Sequence, residues 1–258
     1  MQEGRKRIHL LDELRGFAII CMIVHHTLLD IGDMFSANWA TDAFNALCAV
    51  QPVFWAVFII ISGVCSRLSR NTVKRGVIVL ALAGVITLVT AVIMPRLGFE
   101  GYGIWFGILH CLGSCMVITG LLMPLIKRID YRVGAVISAV LFAFTYGIDG
   151  SHRSLLFGLI KLPSALYKSN AFSPLGFYNY SFESADYFPI LPWIFVFLFG
   201  AFIGQLALDE ALPKQFYVKH SRLLSFVGKN SLWVYMAHQP VIYGVLWVVL
   251  EIIVKAYT

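Results

Sequence analysis

Hydrophobic residues gather into long, nearly uninterrupted runs instead of the short amphipathic patterns of a soluble domain. Seven runs approach the roughly 20 residues that a helix needs to cross the hydrocarbon layer of a bilayer. They predict spans at 14–33, 46–67, 76–94, 104–126, 133–148, 189–208 and 231–254, of which the fifth is the shortest. The pattern therefore indicates an all-α, polytopic membrane bundle of about seven transmembrane helices, built as a single domain over residues 1–258.

One further apolar segment is too short to cross. It runs from Ser154 to Ile160, stops at Lys161 and Pro163, and lies in the loop 149–188 before the sixth span. Such segments rest at the interface or dip partly into the membrane. We predict an interfacial or re-entrant helix there.

Composition supports the membrane assignment. Of the 258 residues, 59% are hydrophobic and 13% charged, whereas a soluble domain has roughly 45–50% apolar and about 25% charged residues. The lipid bilayer is thus an expected partner, and the net charge of +6 suits loops beside an anionic leaflet better than a nucleic-acid surface. The five cysteines lack metal-ligand spacing, so we predict small packing residues and no metal site.

Basic residues indicate the orientation, because Lys and Arg near short loops stay on the cytoplasmic side. Alternate loops assign five of the 20 basic residues to the outer side, at Arg96, Arg153, Lys161, Lys168 and Lys255. The other 15, beginning with Arg5, Lys6 and Arg7, fall on the inner side. We therefore predict a cytoplasmic N-terminus and an outside C-terminus.

The first span carries a polar stripe. Asp12, Arg15, Met22, His26 and Asp30 are separated by three, seven, four and four residues, which places them on one helical face. His26 and Asp30 are one turn apart, so the carboxylate could orient the imidazole as a base. The alternative is that the two groups only satisfy each other near a helix end. We favour a catalytic role because the stripe is longer than such pairing requires.

Two more histidines lie inside predicted spans. His110 is in the fourth, and His238 shares a face of the last with Ser231 and Tyr235. Each alone could be a buried histidine bonded to a backbone carbonyl or a hydroxyl. Together with His26 they indicate a shared polar cavity.

The loop before the sixth span ends in a polar and aromatic segment. Asp186 precedes Pro189 and Pro192, which suit the first turn of a helix, and Trp193 follows. Trp193 fits equally an interfacial anchor or a wall on which a sugar stacks.

These segments resemble a bacterial membrane family named after the catalytic domain of heparan-alpha-glucosaminide N-acetyltransferase. The resemblance begins with 7–19, His26 and Asp30, and continues through 106–110, 186–193 and 228–232 to Tyr235 and 238–240. The blocks occur in the family's order and cover nearly the whole chain. The first block is also similar to the wider transmembrane acyltransferase group, in which an arginine and a histidine spaced like Arg15 and His26 are functional.

The resemblance implies an enzyme that transfers an acetyl or other acyl group to a hydroxyl or amine of a sugar or glycan. It implies acetyl-CoA as co-substrate, no permanently bound cofactor, and donor and acceptor that approach from opposite faces of the membrane. The lysosomal enzyme has its proposed catalytic histidine in the loop after the first helix, but residues 31–45 contain none. The base would therefore be His26, supported by Asp30, or else His110.

The remaining candidate residues are expected to bind the substrates. Arg15 and Lys229 are expected at the inner face, where they suit the phosphates of CoA. Asp186, Trp193, Ser231, Tyr235 and His238 are candidates for contact with donor or acceptor. Direct transfer and a covalent acyl-histidine both remain open, as does assembly into a homodimer.

A proton-coupled transporter of small solutes is the alternative function. The same intramembrane His and Asp residues would then relay protons or bind solute. Such a protein usually shows paired halves, and none is visible here.

The predicted orientation can be tested with reporters fused after Thr258 and inserted near Arg70. We expect the C-terminal reporter outside and the Arg70 reporter in the cytoplasm, because of the basic bias and the odd number of spans. A cytoplasmic C-terminal reporter would contradict the odd number of spans and would indicate that the short fifth segment does not cross.

Overall fold

The architecture consists mainly of helices, as the apolar runs predict, and the segment between Thr145 and Ile190 is their longest connection in the described part of the chain. The computed structural model describes residues 6–98 and 101–257, without the side chains of 254–257. Arg5 and Thr258, used in the orientation argument, lie outside the described residues, as does the side chain of Lys255. The α-helices are α1 His9–Phe35, α2 Asn38–Cys48, α3 Gln51–Leu68, α4 Thr72–Thr87, α5 Met94–Arg96, α6 Ile108–Ile126, α7 Tyr131–Thr145, α8 Ile190–Leu208, α9 Arg222–Lys229 and α10 Ser231–Tyr257.

Six helices in the described part of the chain are long and apolar enough to cross a membrane. They are α1, α3, the continuous helix Thr72–Arg96 that joins α4 to α5 through the π-helical segment Leu88–Ile93, α6, α8 and α10. The all-α, polytopic membrane fold is thereby confirmed.

The fifth predicted span is the exception. Its helix, α7, has 15 residues and at 1.5 Å per residue extends about 22 Å, less than the roughly 30 Å hydrocarbon layer. It ends because Tyr146 is extended and Gly147 has a φ of 92°. The predicted outside position of the C-terminus depends on whether α7 crosses.

The helix predicted at 154–160 was wrong, because the segment forms two short strands around a 3₁₀ turn, Leu156–Gly158. Its interfacial or re-entrant position stays a prediction. Ser154–Leu155 (β1) pairs antiparallel with Ile160–Lys161 (β2). Between them, Leu156, Phe157 and Gly158 have φ values of 49°, 56° and 100°. Three consecutive left-handed residues reverse the chain and cannot continue a right-handed helix.

The chain forms two compact units. The first comprises Met1–Ile61 and Leu212–Thr258, and the second comprises Ser62–Ala211. In the first unit, α1 packs against α2, α9 and α10. In the second, α4 packs against α6, and α8 packs against both α6 and α7. The single-domain assignment stays a prediction.

Two glycines allow α1 and α9 to touch through their backbones. A Cβ on Gly16 would collide with the carbonyl oxygen of Leu224, and one on Gly228 would collide with that of Asp12. Small residues permit this kind of close helix packing in membranes. The contact fixes α9, and with it the start of α10, against the first half of α1.

A buried carboxylate completes this contact. Glu13 is only 3% exposed, and its Oε1 accepts hydrogen bonds from the backbone N–H groups of His220 and Ser221 at 2.8 and 3.0 Å. The Ser225 hydroxyl donates to the same oxygen at 3.1 Å. Because the first N–H groups of a helix lack partners within it, a side chain of α1 here satisfies the beginning of α9.

Replacing Glu13 with Ala should therefore destabilise the protein. The change removes the charged acceptor of two part-buried backbone N–H groups, and the loss of such an acceptor costs about 1–3 kcal/mol. We expect a lower thermal unfolding midpoint in detergent, with a smaller loss for Glu13→Gln, which keeps an accepting oxygen. Glu183→Ala, at an exposed loop position, is the control. Equal midpoints for Glu13→Ala and the control would contradict this role.

Candidate active site

In the first unit, α1 and α10 bring four polar side chains together. The ring centroids of His26 and His238 are 5.2 Å apart. One residue further along α10, Gln239 Nε2 donates a hydrogen bond of 2.8 Å to Asp30 Oδ2. His26 and Asp30 of the first span and His238 of the last, all predicted as site residues, thus form one cluster with Gln239. Gln239 was not among the predicted site residues, although it is a polar residue adjacent to His238.

The cluster is not connected as the helical spacing suggested. No hydrogen bond joins His26 to Asp30 within the described residues, because the carboxylate reaches across to the Gln239 amide. The His26 ring instead lies beside the imidazoles of His25 and His238, with centroid distances of 5.8 and 5.2 Å. Asp12 is also separate from this group, since its carboxylate pairs with Arg7 at 2.7 Å.

His238 has a fixed proton arrangement. Its Nδ1 lies within hydrogen-bonding distance of the Tyr235 carbonyl oxygen. A carbonyl only accepts, so Nδ1 carries the proton and donates it. The other nitrogen, Nε2, is buried and has no hydrogen-bond partner in the part of the chain that the structure describes. The imidazole therefore presents an unprotonated nitrogen in surroundings sheltered from water.

His25 belongs to a different environment. It is 7% exposed, stacks on Phe44 with a centroid distance of 4.4 Å, and lies 3.5 Å from Cys48 Sγ and 3.3 Å from Gln51 Nε2. Both ring nitrogens thus have neighbours on α2 and α3. This agrees with the choice of His26 over His25 as the candidate base.

In the second unit, both ring nitrogens of His110 are engaged. The Thr87 hydroxyl donates to the Ile104 carbonyl at 2.8 Å, so its oxygen accepts from His110 Nε2 at 3.2 Å. The Gly107 N–H donates to His110 Nδ1 at 3.2 Å. These bonds hold the beginning of α6 and leave neither nitrogen ready to take a proton. The catalytic role for His110 stays a prediction, but its contacts favour a structural role.

Asp186 also serves the beginning of α6. Its Oδ2 accepts a hydrogen bond from the Ile108 N–H at 3.0 Å, and its carboxylate occupies the space that a Cβ on Gly107 would need. The Phe188 N–H donates to the Phe106 carbonyl at 2.9 Å. The segments 106–110 and 186–193 are thus adjacent, and the acidic residue caps the helix that carries His110.

The residues at and just before the beginning of α8 are packed among aromatic rings. Trp193 lies 5.6 Å from the Phe188 ring and 6.0 Å from the Phe142 ring, centroid to centroid. Burial raises the pKa of the Tyr187 phenol, which stays protonated and donates to the Ser173 carbonyl at 2.7 Å. Trp193 is half-buried, so its ring contributes to packing and is only partly available as a sugar-stacking surface.

The other predicted site residues lie along α1, α9 and α10. Arg15 is half-buried on α1, and Lys229 is exposed at the end of α9. They adjoin Gly16 and Gly228, which pack closely on each other. Ser231 begins α10, and the Tyr235 ring lies 5.3 Å from that of His238. No group of three His, Cys, Asp or Glu side chains that could hold a metal occurs in residues 6–98 and 101–257.

Comparison with known proteins connects these segments. A family model described as heparan-alpha-glucosaminide N-acetyltransferase, catalytic, matches residues 7–240. No curated protein matches the chain, and no solved structure matches it. The matched residues include the cluster around His26 and His238, the separate His110, Asp186 and the contact between α1 and α9.

Proposed function

The chain belongs to the heparan-alpha-glucosaminide N-acetyltransferase catalytic family, and from this premise we propose that it transfers an acetyl group from acetyl-CoA to a sugar or glycan. The observation that carries the proposal is the pair of imidazoles, His26 and His238, in contact inside a membrane unit. Placing an ionisable side chain inside a membrane costs free energy, so such side chains are rarely kept without a function. Acetyl transfer needs a group that takes the acceptor proton and one that stabilises the thioester oxygen, and two adjacent imidazoles can supply both.

The acetyl-CoA donor fits along α1. The guanidinium group of Arg15 can bind phosphate, and Lys229 lies beside the same helix contact. Arg15 and His26 are eleven residues apart, which is about 16 Å along a helix at 1.5 Å per residue. A CoA molecule with its phosphates near Arg15 could place its thioester near His26.

The acceptor is a hydroxyl or amine of a carbohydrate, as the family name suggests. We assign acceptor contact to the Asp30, Tyr235 and His238 end of the first unit. Asp30, bound by Gln239, holds α10 in position and does not act as the direct partner of His26. Ser231, Asp186 and Trp193 remain candidate binding residues of lower weight.

Loss of His26 should abolish most of the activity. Purified protein in detergent is incubated with labelled acetyl-CoA and either glucosamine or methyl glucoside, and labelled product is measured. His26→Ala should reduce transfer about 10²- to 10⁴-fold, the usual effect of losing an acid–base group. Asp30→Asn should cause a smaller loss of activity, since Asp30 acts through its hydrogen bond with Gln239. His152→Ala, at an exposed loop position, is the matched control and should keep normal activity.

A second experiment tests whether donor and acceptor enter from opposite faces. Right-side-out vesicles that contain the protein are loaded with acetyl-CoA, and membrane-impermeant glucosamine conjugates are added outside. We expect the external acceptor to be acetylated, because Arg15 and His26 lie far apart along α1. Acetylation only when both substrates share a compartment would contradict a two-sided enzyme and leave a one-sided acetyltransferase.

A further inference from the structure

The hydrogen bonds on α10 distinguish the two histidines of the site. His238 donates its Nδ1 proton to the Tyr235 carbonyl, so Nε2 holds a lone pair and can only accept. This nitrogen is buried and has no partner among the described residues. His26 has no fixed tautomer, because none of its hydrogen-bonding groups is engaged by another described residue.

The neighbouring Gln239 also presents a buried acceptor atom without a donor. Its amide nitrogen faces the Asp30 carboxylate and donates to it at 2.8 Å, so the amide oxygen is the remaining group. That oxygen, Oε1, is also buried and without a partner in residues 6–98 and 101–257. Consecutive residues of α10 therefore present two buried acceptors that lack donors.

Unsatisfied buried acceptors are costly, by about 1–3 kcal/mol each. O–H or N–H donors are needed to satisfy them. The reacting carbonyl of a thioester brings none, whereas a sugar brings several hydroxyls and, when it is an amino sugar, an amine. The chemistry of these two atoms thus fits the acceptor sugar and excludes the thioester carbonyl as their partner.

We propose that the acceptor sugar binds against His238 and Gln239, that His238 Nε2 removes its proton, and that His26 donates a hydrogen bond to the thioester oxygen. This inference rests on the proposed acetyltransferase function. It exchanges the role predicted for His26, because among the described contacts of this pair it is the His238 ring that has a hydrogen bond orienting it as a base.

The step balances as follows. The acceptor oxygen or nitrogen attacks the acetyl carbon while its proton passes to His238 Nε2. The tetrahedral oxyanion that forms is stabilised by the His26 N–H. When the carbon–sulfur bond breaks, the CoA sulfur leaves with the electron pair and receives the proton from His238. Both imidazoles return to their starting state, and the products are the acetylated sugar and CoA.

The test compares two acceptors in His238→Gln and His26→Gln proteins. Methyl glucoside has a weakly nucleophilic hydroxyl and needs a base, whereas hydroxylamine is unprotonated at neutral pH and attacks without one. With methyl glucoside, we expect each variant to lose about 10²- to 10⁴-fold. With hydroxylamine, His238→Gln should recover to within about tenfold of wild type, while His26→Gln should stay impaired because it cannot stabilise the oxyanion.

Gln239 supplies an independent readout. Gln239→Leu should raise the KM for methyl glucoside and leave the KM for acetyl-CoA nearly unchanged, because the lost oxygen faces the acceptor. Detergent thermal unfolding and gel filtration are measured for every variant, and His25→Gln is the matched histidine control. Added imidazole should partly restore His238→Gly with methyl glucoside, which a packing defect would not allow.

The outcomes separate the two proposals. If wild-type protein acetylates neither acceptor, the proposed function fails. If wild type is active but His238→Gln is equally impaired with both acceptors, or is as active as wild type, the base assignment is overturned while the enzyme assignment stands. Recovery of His26→Gln alone with hydroxylamine would return the base role to His26.

Discussion

The backbone contact between Gly16 and Gly228 determines much of the first unit. In a membrane, packing between helices gains little from the hydrophobic effect and depends on close fit and on satisfied polar groups. Here the fit comes from two glycines, and Glu13 satisfies the donors at the beginning of α9. Because α10 follows α9 directly, this junction also sets the position of His238. The encounter of His238 with His26 is therefore a consequence of packing that occurs more than two turns away along α1.

Polar residues inside the helices have two distinct uses. His110 and Asp186 close the first turn of α6, and their hydrogen-bonding capacity is spent on structure. The His26 and His238 rings lie 5.2 Å apart, and His238 Nε2 is buried without a hydrogen-bond partner among the described residues. The difference lies in hydrogen-bond saturation, which sequence spacing does not reveal. An intramembrane histidine is consequently a candidate for chemistry only after its two nitrogens have been accounted for.

Much of the fold was predictable because a bilayer imposes a length requirement on each apolar run. Six of the seven predicted spans correspond to helices long enough to cross, whereas the hairpin at 154–161 was missed because the φ values of Leu156 and Phe157 leave no signal in residue type. Within the site, helical spacing placed His26 and Asp30 on one face but could not show that Asp30 bonds to Gln239. That bond depends on how α10 packs against α1, and these two helices lie at opposite ends of the sequence.

The close contact at Gly16 and Gly228 also constrains how this protein can change through evolution. A larger residue in a core is often tolerated once a neighbouring side chain becomes smaller. At these two positions the atoms that would collide are backbone carbonyls of Asp12 and Leu224. A substitution changes only the side chain, so it cannot make a backbone carbonyl smaller. A mutation at either glycine thus has no single compensating partner. Descendants of this sequence can vary the exposed residues of α9 and α10, but both glycines have to be inherited together.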